Sequence, residues 1–106
     1  TTGGWHSRYM ATAKPELLKL LDDTSFKESQ IKIIDNTYVN DNKLKPENAQ
    51  LTLCEHLVQP VKWRETMKYF LDNDVNEVFE ISNFDLLTRM GIMSSREMQF
   101  HSLGLQ

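Results

Sequence analysis

Among 106 residues there are one cysteine, three prolines and four glycines. The lone Cys54 excludes an internal disulfide framework and fits a reducing, cytoplasmic compartment. No apolar run approaches the ~20 residues that a bilayer-spanning helix needs, and no secretory signal pattern opens at Thr1. Basic residues do not dominate either: twelve Lys and Arg face fifteen Asp and Glu, a net charge of −3. The cations alternate with acids instead of forming one stripe, which argues against a nucleic-acid footprint. No cluster of His, Cys, Asp and Glu has metal-ligand spacing, so no metal and no bound organic cofactor is expected. Repeats and low-complexity segments are absent.

What remains suits a single small globular domain. Apolar residues make up 40% and charged residues 25% of the chain, ordinary values for a soluble fold. A chain of this length buries roughly 65% of its unfolded surface. Its most informative stretch is the opening, Gly3-Gly4-Trp5-His6-Ser7-Arg8-Tyr9-Met10. Two glycines allow a tight turn or φ > 0. Met10, Leu17, Leu18 and Leu21 then recur near a 3.6-residue period, so the corner opens onto an amphipathic helix with Ser7 as its N-cap. His6 projects from that corner, and an imidazole with a pKa near neutrality suits proton transfer. The spacing alone leaves a structural or solvated histidine open. Ser7 is a poor nucleophile for His6, because adjacent residues at a helix start point in diverging directions.

The periodicity predicts a first helix from about Ser7 to Asp22, with Pro15 kinking it or restarting it near Ala13 and Lys14. Asp23-Thr24-Ser25 is a loop. Gln30 to Asp35, with Ile31, Ile33 and Ile34, reads as a buried strand. Asn36 to Pro46 is an exposed connection. Pro46-Glu47 starts a second helix ended by Pro60, and a third runs from about Val61 to Asn73. Val75 to Ile81 is a second strand, and Leu86 to Met90 a short helix with Gly91 as its C-cap. Met98 to Leu103 supplies a last short edge strand. This order is α/β, with a parallel pairing of the two main strands. Cys54, Trp5 and Trp63 read as packing residues and His101 as surface. His101-Ser102-Leu103-Gly104 imitates a nucleophile elbow, but Phe100 replaces the small residue an elbow needs.

Four segments carry a family resemblance across residues 3 to about 92. Gly-Gly-Trp-His-Ser-Arg-Tyr-Met at 3–10 resembles the G-A-F-H-S-x-x-M segment of malonyl-CoA:acyl carrier protein transacylases and of polyketide and fatty acid synthase acyltransferase domains. Phe26 with Ile31-Lys32-Ile33-Ile34-Asp35-Asn36 resembles F-x-x-P-x-x-P-V-V-S-N-V. Cys54 to Trp63 resembles R-Q-L-x-x-P-V-x-W. Val75 to Met90 resembles V-x-x-F-V-E-V-G-P-G-x-x-L-T-x-L, with Ser82-Asn83-Phe84 in place of Gly-Pro-Gly.

The resemblance implies the C-terminal part of an α/β-hydrolase-like acyltransferase large subdomain, with parallel strands flanked by helices. The nucleophile-bearing N-terminal portion would lie outside residues 1–106. It implies transfer of a malonyl-type acyl group from coenzyme A to the pantetheine thiol of an acyl carrier protein, through a serine acyl-enzyme. Coenzyme A and phosphopantetheine thioesters would then be substrates and no bound cofactor is implied. The partners would be the acyl carrier protein and the N-terminal part of the same domain, with no nucleic acid and no membrane. His6 matches the family's general base, and the position that offers it an orienting backbone carbonyl is His56, where the family has Gln; a helix-face residue packing near Trp63 is the other reading of His56. Arg8 and Asn36 match residues around the site and are substrate-binding candidates; a structural salt bridge is the other reading of Arg8. Lys62, Arg64 and Lys68 are either a carrier-protein patch or a solvated helix face. The substituted Ser82-Asn83-Phe84 loop motivates one alternative, a catalytically degenerate docking module; a thioester hydrolase of the same family is a further one. The acyl group is not specified by these residues.

Overall fold

The computed structural model describes residues 3–104, apart from the side chain of Ser94. Ser7 starts the first helical segment: it is extended, and its Oγ accepts from the Tyr9 N–H at 3.3 Å, relieving one orphan donor of the first turn. The segment winds as a 3-10 helix over Arg8–Ala13 and continues as α1, Lys14–Leu21. The change of helix type falls at Ala13 and Lys14. Pro15 is therefore not interior to an α-helix but sits in the first turn of α1, where its missing N–H costs nothing.

The second helix, α2, spans Pro46–Glu55. Lys45 is extended before Pro46, and Glu47 faces the positive end of the helix, the favourable sign for the macrodipole. Helices α1 and α2 run antiparallel. The Lys14 ammonium meets the Glu55 carboxylate at one end, and Gln50 Nε2 donates to the Leu18 carbonyl (3.0 Å) and to Asp22 Oδ1 (2.6 Å) at the other. Ala49 and Cys54 on α2 are buried, and burial pushes the Cys54 thiol up. Cys54 is thus the core residue expected. Trp5, by contrast, is 57% exposed and not a packing residue.

The strand expected at Gln30–Asp35 does not form. Ile31 and Ile33 are exposed. At Ile31 a side chain takes the backbone groups a ladder would need, and just beyond the expected strand a second one closes a turn. Ser29 Oγ bonds both the N–H and the carbonyl of Ile31, at 3.1 and 2.8 Å. The Asp35 carboxylate collects the N–H groups of Thr37, Tyr38 and Asn40. Such local bonds compete directly with sheet pairing.

The chain divides into two compact units, Thr1–Thr66 and Met67–Gln106. Helix α3, Trp63–Asp72, carries the boundary. It ends as Asn73 Nδ2 bonds the Tyr69 carbonyl and Asp74 turns to φ 59°, the left-handed stop common after helices.

The second unit is a βαβ element: β1 at Glu77–Ser82, α4 at Leu86–Ser94, and β2 at Gln99–Gly104. The strands pair in parallel from Glu77↔Gln99 to Ser82↔Gly104. The parallel pair thus exists, but its second member is the segment read as a short edge strand. Helix α4 also runs past Gly91, which is buried within it and is not a C-cap: the Ser95 N–H bonds the Gly91 carbonyl. Gly91 is required by close approach. A Cβ there would lie 2.1 Å from Phe100 Cε1. His101 is half-buried and stacks on Phe79, with ring centroids 4.8 Å apart, so it is not simply a surface residue.

Candidate active site

The glycine corner is shaped by sterics and by one serine. Gly4 admits the close approach of Tyr9, whose Cβ would lie 2.9 Å from any Cβ at position 4. Ser7 Oγ donates to the Gly4 carbonyl at 2.5 Å while accepting from Tyr9 N–H. The Ser7 hydroxyl is therefore committed to its own turn. Positive φ does not fall on a glycine: it falls on His6, at 57°. A non-glycine residue in the left-handed region is uncommon and costs of order 1 kcal/mol, and such strain concentrates at functional positions.

That conformation sends the His6 ring to α2. Its Nδ1 lies 2.6 Å from the backbone carbonyl oxygen of His56. A carbonyl only accepts, so Nδ1 carries the proton and Nε2 is the basic nitrogen. The ring is exposed, and this arrangement leaves it able to take a proton at Nε2 from a group brought against it. His6 and His56 are thus brought together, fifty residues apart in sequence.

His56 is where α2 stops. It is the C-cap, its N–H bonds the Thr52 carbonyl at 3.1 Å, and Leu57, Val58 and Gln59 turn back onto Cys54 and Glu55. Its carbonyl thus lies beyond the α-helical ladder and is offered to His6. Its side chain is mostly buried, with Nε2 3.9 Å from Asp35 Oδ2.

Asp35 was not singled out by the sequence, which placed it at the end of a strand. Its side chain is fully buried. Oδ2 accepts from Thr37 N–H at 2.9 Å and Tyr38 N–H at 2.6 Å, and Oδ1 from Asn40 N–H at 3.0 Å. The available signal was an aspartate opening the polar run Asn36-Thr37, the pattern of a carboxylate capping its own turn.

The other candidates are placed less directly. Arg8 lies on its neighbour, with Nη2 donating to the Tyr9 hydroxyl at 3.4 Å and its guanidinium 5.2 Å from the Tyr9 ring centroid. Among the described residues it forms no salt bridge, so that reading of Arg8 is replaced by the Tyr9 contact. Asn36 is exposed, and its carbonyl accepts from Lys62 N–H at 2.9 Å. Lys62, Arg64 and Lys68 are exposed, and Lys68 pairs with Asp72 one turn on. Among the described residues no group of three or more His, Cys, Asp or Glu side chains is arranged to hold a metal. No helix among them is long and apolar enough to cross a membrane.

The segment that resembles the Gly-Pro-Gly loop is held without glycine. Ser82 Oγ donates to the Phe84 carbonyl at 2.7 Å, accepts from Phe84 N–H at 3.1 Å and lies 3.2 Å from Glu80 Oε1. None of Ser82, Asn83 and Phe84 has positive φ. A hydroxyl-closed turn takes the place of glycine's conformational freedom there.

Comparison with known proteins shows the family and the fold. Over 87 residues the chain is 30% identical to the polyketide biosynthesis malonyl CoA-acyl carrier protein transacylase BaeC of Bacillus velezensis, covering 82% of this chain and 29% of that protein. It is 31% identical over 90 residues to the corresponding transacylase PksC of Bacillus subtilis, covering 82% of this chain and 30% of that protein. The fold matches the crystal structure of an acyl carrier protein S-malonyltransferase from Vibrio cholerae with a TM-score of 0.90. That match has 23% identity and covers 98% of this chain and 34% of that one. No family model matches the chain. The chain spans about 30% of the length of the curated relatives named.

Proposed function

The chain is a relative of the malonyl-CoA:acyl carrier protein transacylases over 29–30% of their length, and from that premise we propose that it supplies the general base of an acyltransferase. The reaction is transfer of a malonyl-type group from coenzyme A to the pantetheine thiol of an acyl carrier protein. The observation that carries this reading is the 2.6 Å bond from His6 Nδ1 to the His56 carbonyl, because it leaves Nε2 basic and the ring oriented.

In this mechanism a serine hydroxyl, provided by polypeptide outside these 106 residues, gives its proton to His6 Nε2 and attacks the thioester carbonyl. The tetrahedral adduct collapses, breaking the carbon–sulfur bond, and the imidazolium returns the proton to the departing coenzyme A thiol. The carrier thiol then repeats the sequence in reverse: His6 takes its proton, its sulfur attacks the acyl-serine ester, and the serine oxygen recovers the proton. Arg8 and Asn36 are assigned to substrate contact. Coenzyme A and pantetheine thioesters are substrates, so no bound cofactor is assigned. The compartment is the cytoplasm, which keeps the Cys54 thiol reduced.

The Ser82-Asn83-Phe84 turn favours one second reading, a docking module that binds the carrier protein without turnover. Intact mass spectrometry of the full polypeptide after addition of malonyl-CoA separates the two. Acyl transfer predicts a covalent malonyl adduct that is discharged by added carrier protein. No adduct, with carrier-protein binding retained, supports docking and contradicts the transfer reading. Discharge by water at the same rate with and without carrier protein points to a thioester hydrolase.

A further inference from the structure

We propose that Asp35 is a positioning residue, which anchors the His56 ring and through it the carbonyl that orients His6. The inference rests on the assignment of His6 as the general base. His56 does two things at once. Its backbone oxygen receives the His6 Nδ1 proton, and its ring points to the opposite partner, with Nε2 3.9 Å from Asp35 Oδ2.

Three observations carry the proposal. His56 Nε2 is buried and, among the described residues, has no hydrogen-bond partner, a state that costs roughly 1–3 kcal/mol unless a neighbour relieves it. The Asp35 carboxylate, itself fully buried, stands 3.9 Å from that nitrogen, at ion-pair distance. That carboxylate is immobile, because three backbone N–H groups hold its two oxygens. Oδ2 already accepts two of these N–H groups and Oδ1 one, so the carboxylate acts on the His56 ring 3.9 Å away through its charge, undiluted by solvent at a fully buried site. The same turn is fixed to the segment after His56, since Lys62 N–H bonds the carbonyl of Asn36. Asp35 is thus a rigid post, and the His56 ring is the lever between it and the carbonyl facing His6. A glutamine in place of His56 keeps an N–H donor on a side chain of similar length, which makes it the natural rescue variant.

The test reads imidazole tautomers in the full polypeptide, without substrate, from long-range proton–nitrogen NMR spectra of nitrogen-15-labelled protein near neutral pH. In the unaltered protein His6 is expected as the Nδ1–H tautomer. Asp35→Asn keeps an oxygen for the turn's N–H groups but weakens the hold on His56. Both Asp35→Asn and His56→Ala should lower the ratio of Nδ1–H to Nε2–H tautomer at His6 about fivefold. The double variant should lower it no further, and His56→Gln should restore it. An unchanged His6 tautomer in His56→Ala, where the Asp35 turn is intact, overturns the proposal even if Asp35→Asn fails to fold. So does a further drop when Asp35→Asn is added to His56→Ala. Since no acyl transfer is measured, the tautomer coupling stands or falls separately from the assigned reaction.

Discussion

Glu80 Oε2 lies 2.7 Å from the backbone nitrogen of Thr88, eight residues along the chain. Oε1 of the same carboxylate accepts from Leu87 N–H at 3.2 Å. A residue of β1 therefore caps α4, whose own N-cap, Asp85, makes no side-chain capping bond. One carboxylate fixes the angle at which the crossover helix leaves the strand.

This arrangement predicts a pH dependence. Burial works against the charged form of Glu80, but the bonds from Thr88, Leu87 and Ser82 outweigh it and hold the carboxyl below its ordinary value of 4.5. A carboxyl with a depressed folded pKa stabilises the fold above its unfolded value, and that contribution disappears as pH falls through the folded value. Protection of the Leu87 and Thr88 amides, relative to their intrinsic exchange rates, should therefore fall below about pH 4.5 in the unaltered protein. In Glu80→Gln this acid-dependent loss of protection should vanish and protection should be lower at pH 7.

Gly91 and Phe100 give a prediction whose sign reverses. A Cβ at position 91 would stand 2.1–2.5 Å from three carbons of the Phe100 ring. Gly91→Ala should destabilise the protein by about 1–2 kcal/mol, overpacking exceeding the helical preference of alanine over glycine. In a Phe100→Ala background the same substitution should be neutral or stabilise by up to ~1 kcal/mol. Denaturant unfolding of the four proteins in this cycle measures both values.

Ser82→Ala removes the hydroxyl that closes the turn at Phe84. It should cost about 1 kcal/mol in unfolding free energy. Protection of the Phe84 amide should fall more than that of the β1 amides, as hydrogen exchange would measure.

Much of the fold was legible because its signals are local. Ser7 before a helix, Pro46 at a helix start and Asn73-Asp74 at a helix end each carry their own backbone chemistry. The Ile31–Ile34 cluster misled because β-branched residues make a strand only when a ladder is available. Here Ser29 diverts the backbone groups of Ile31 to its side chain, and Asp35 folds the chain into a turn immediately beyond. Gly91 resembled a helix stop, yet its reason lies in the ring of Phe100, a contact no local pattern contains. Likewise, the resemblance pointed to position 56, but the role of Asp35 depends on a turn and a helix end meeting across 21 residues.

The assignment of His6 is tested most directly by single-turnover transfer of a malonyl group from malonyl-CoA to acyl carrier protein. His6→Asn is the appropriate variant, since asparagine tolerates the left-handed backbone that His6 adopts at φ 57°. The expected outcome is a rate lowered about 10²–10⁴-fold with an unchanged thermal midpoint. Transfer by His6→Asn at the unaltered rate would contradict the assignment.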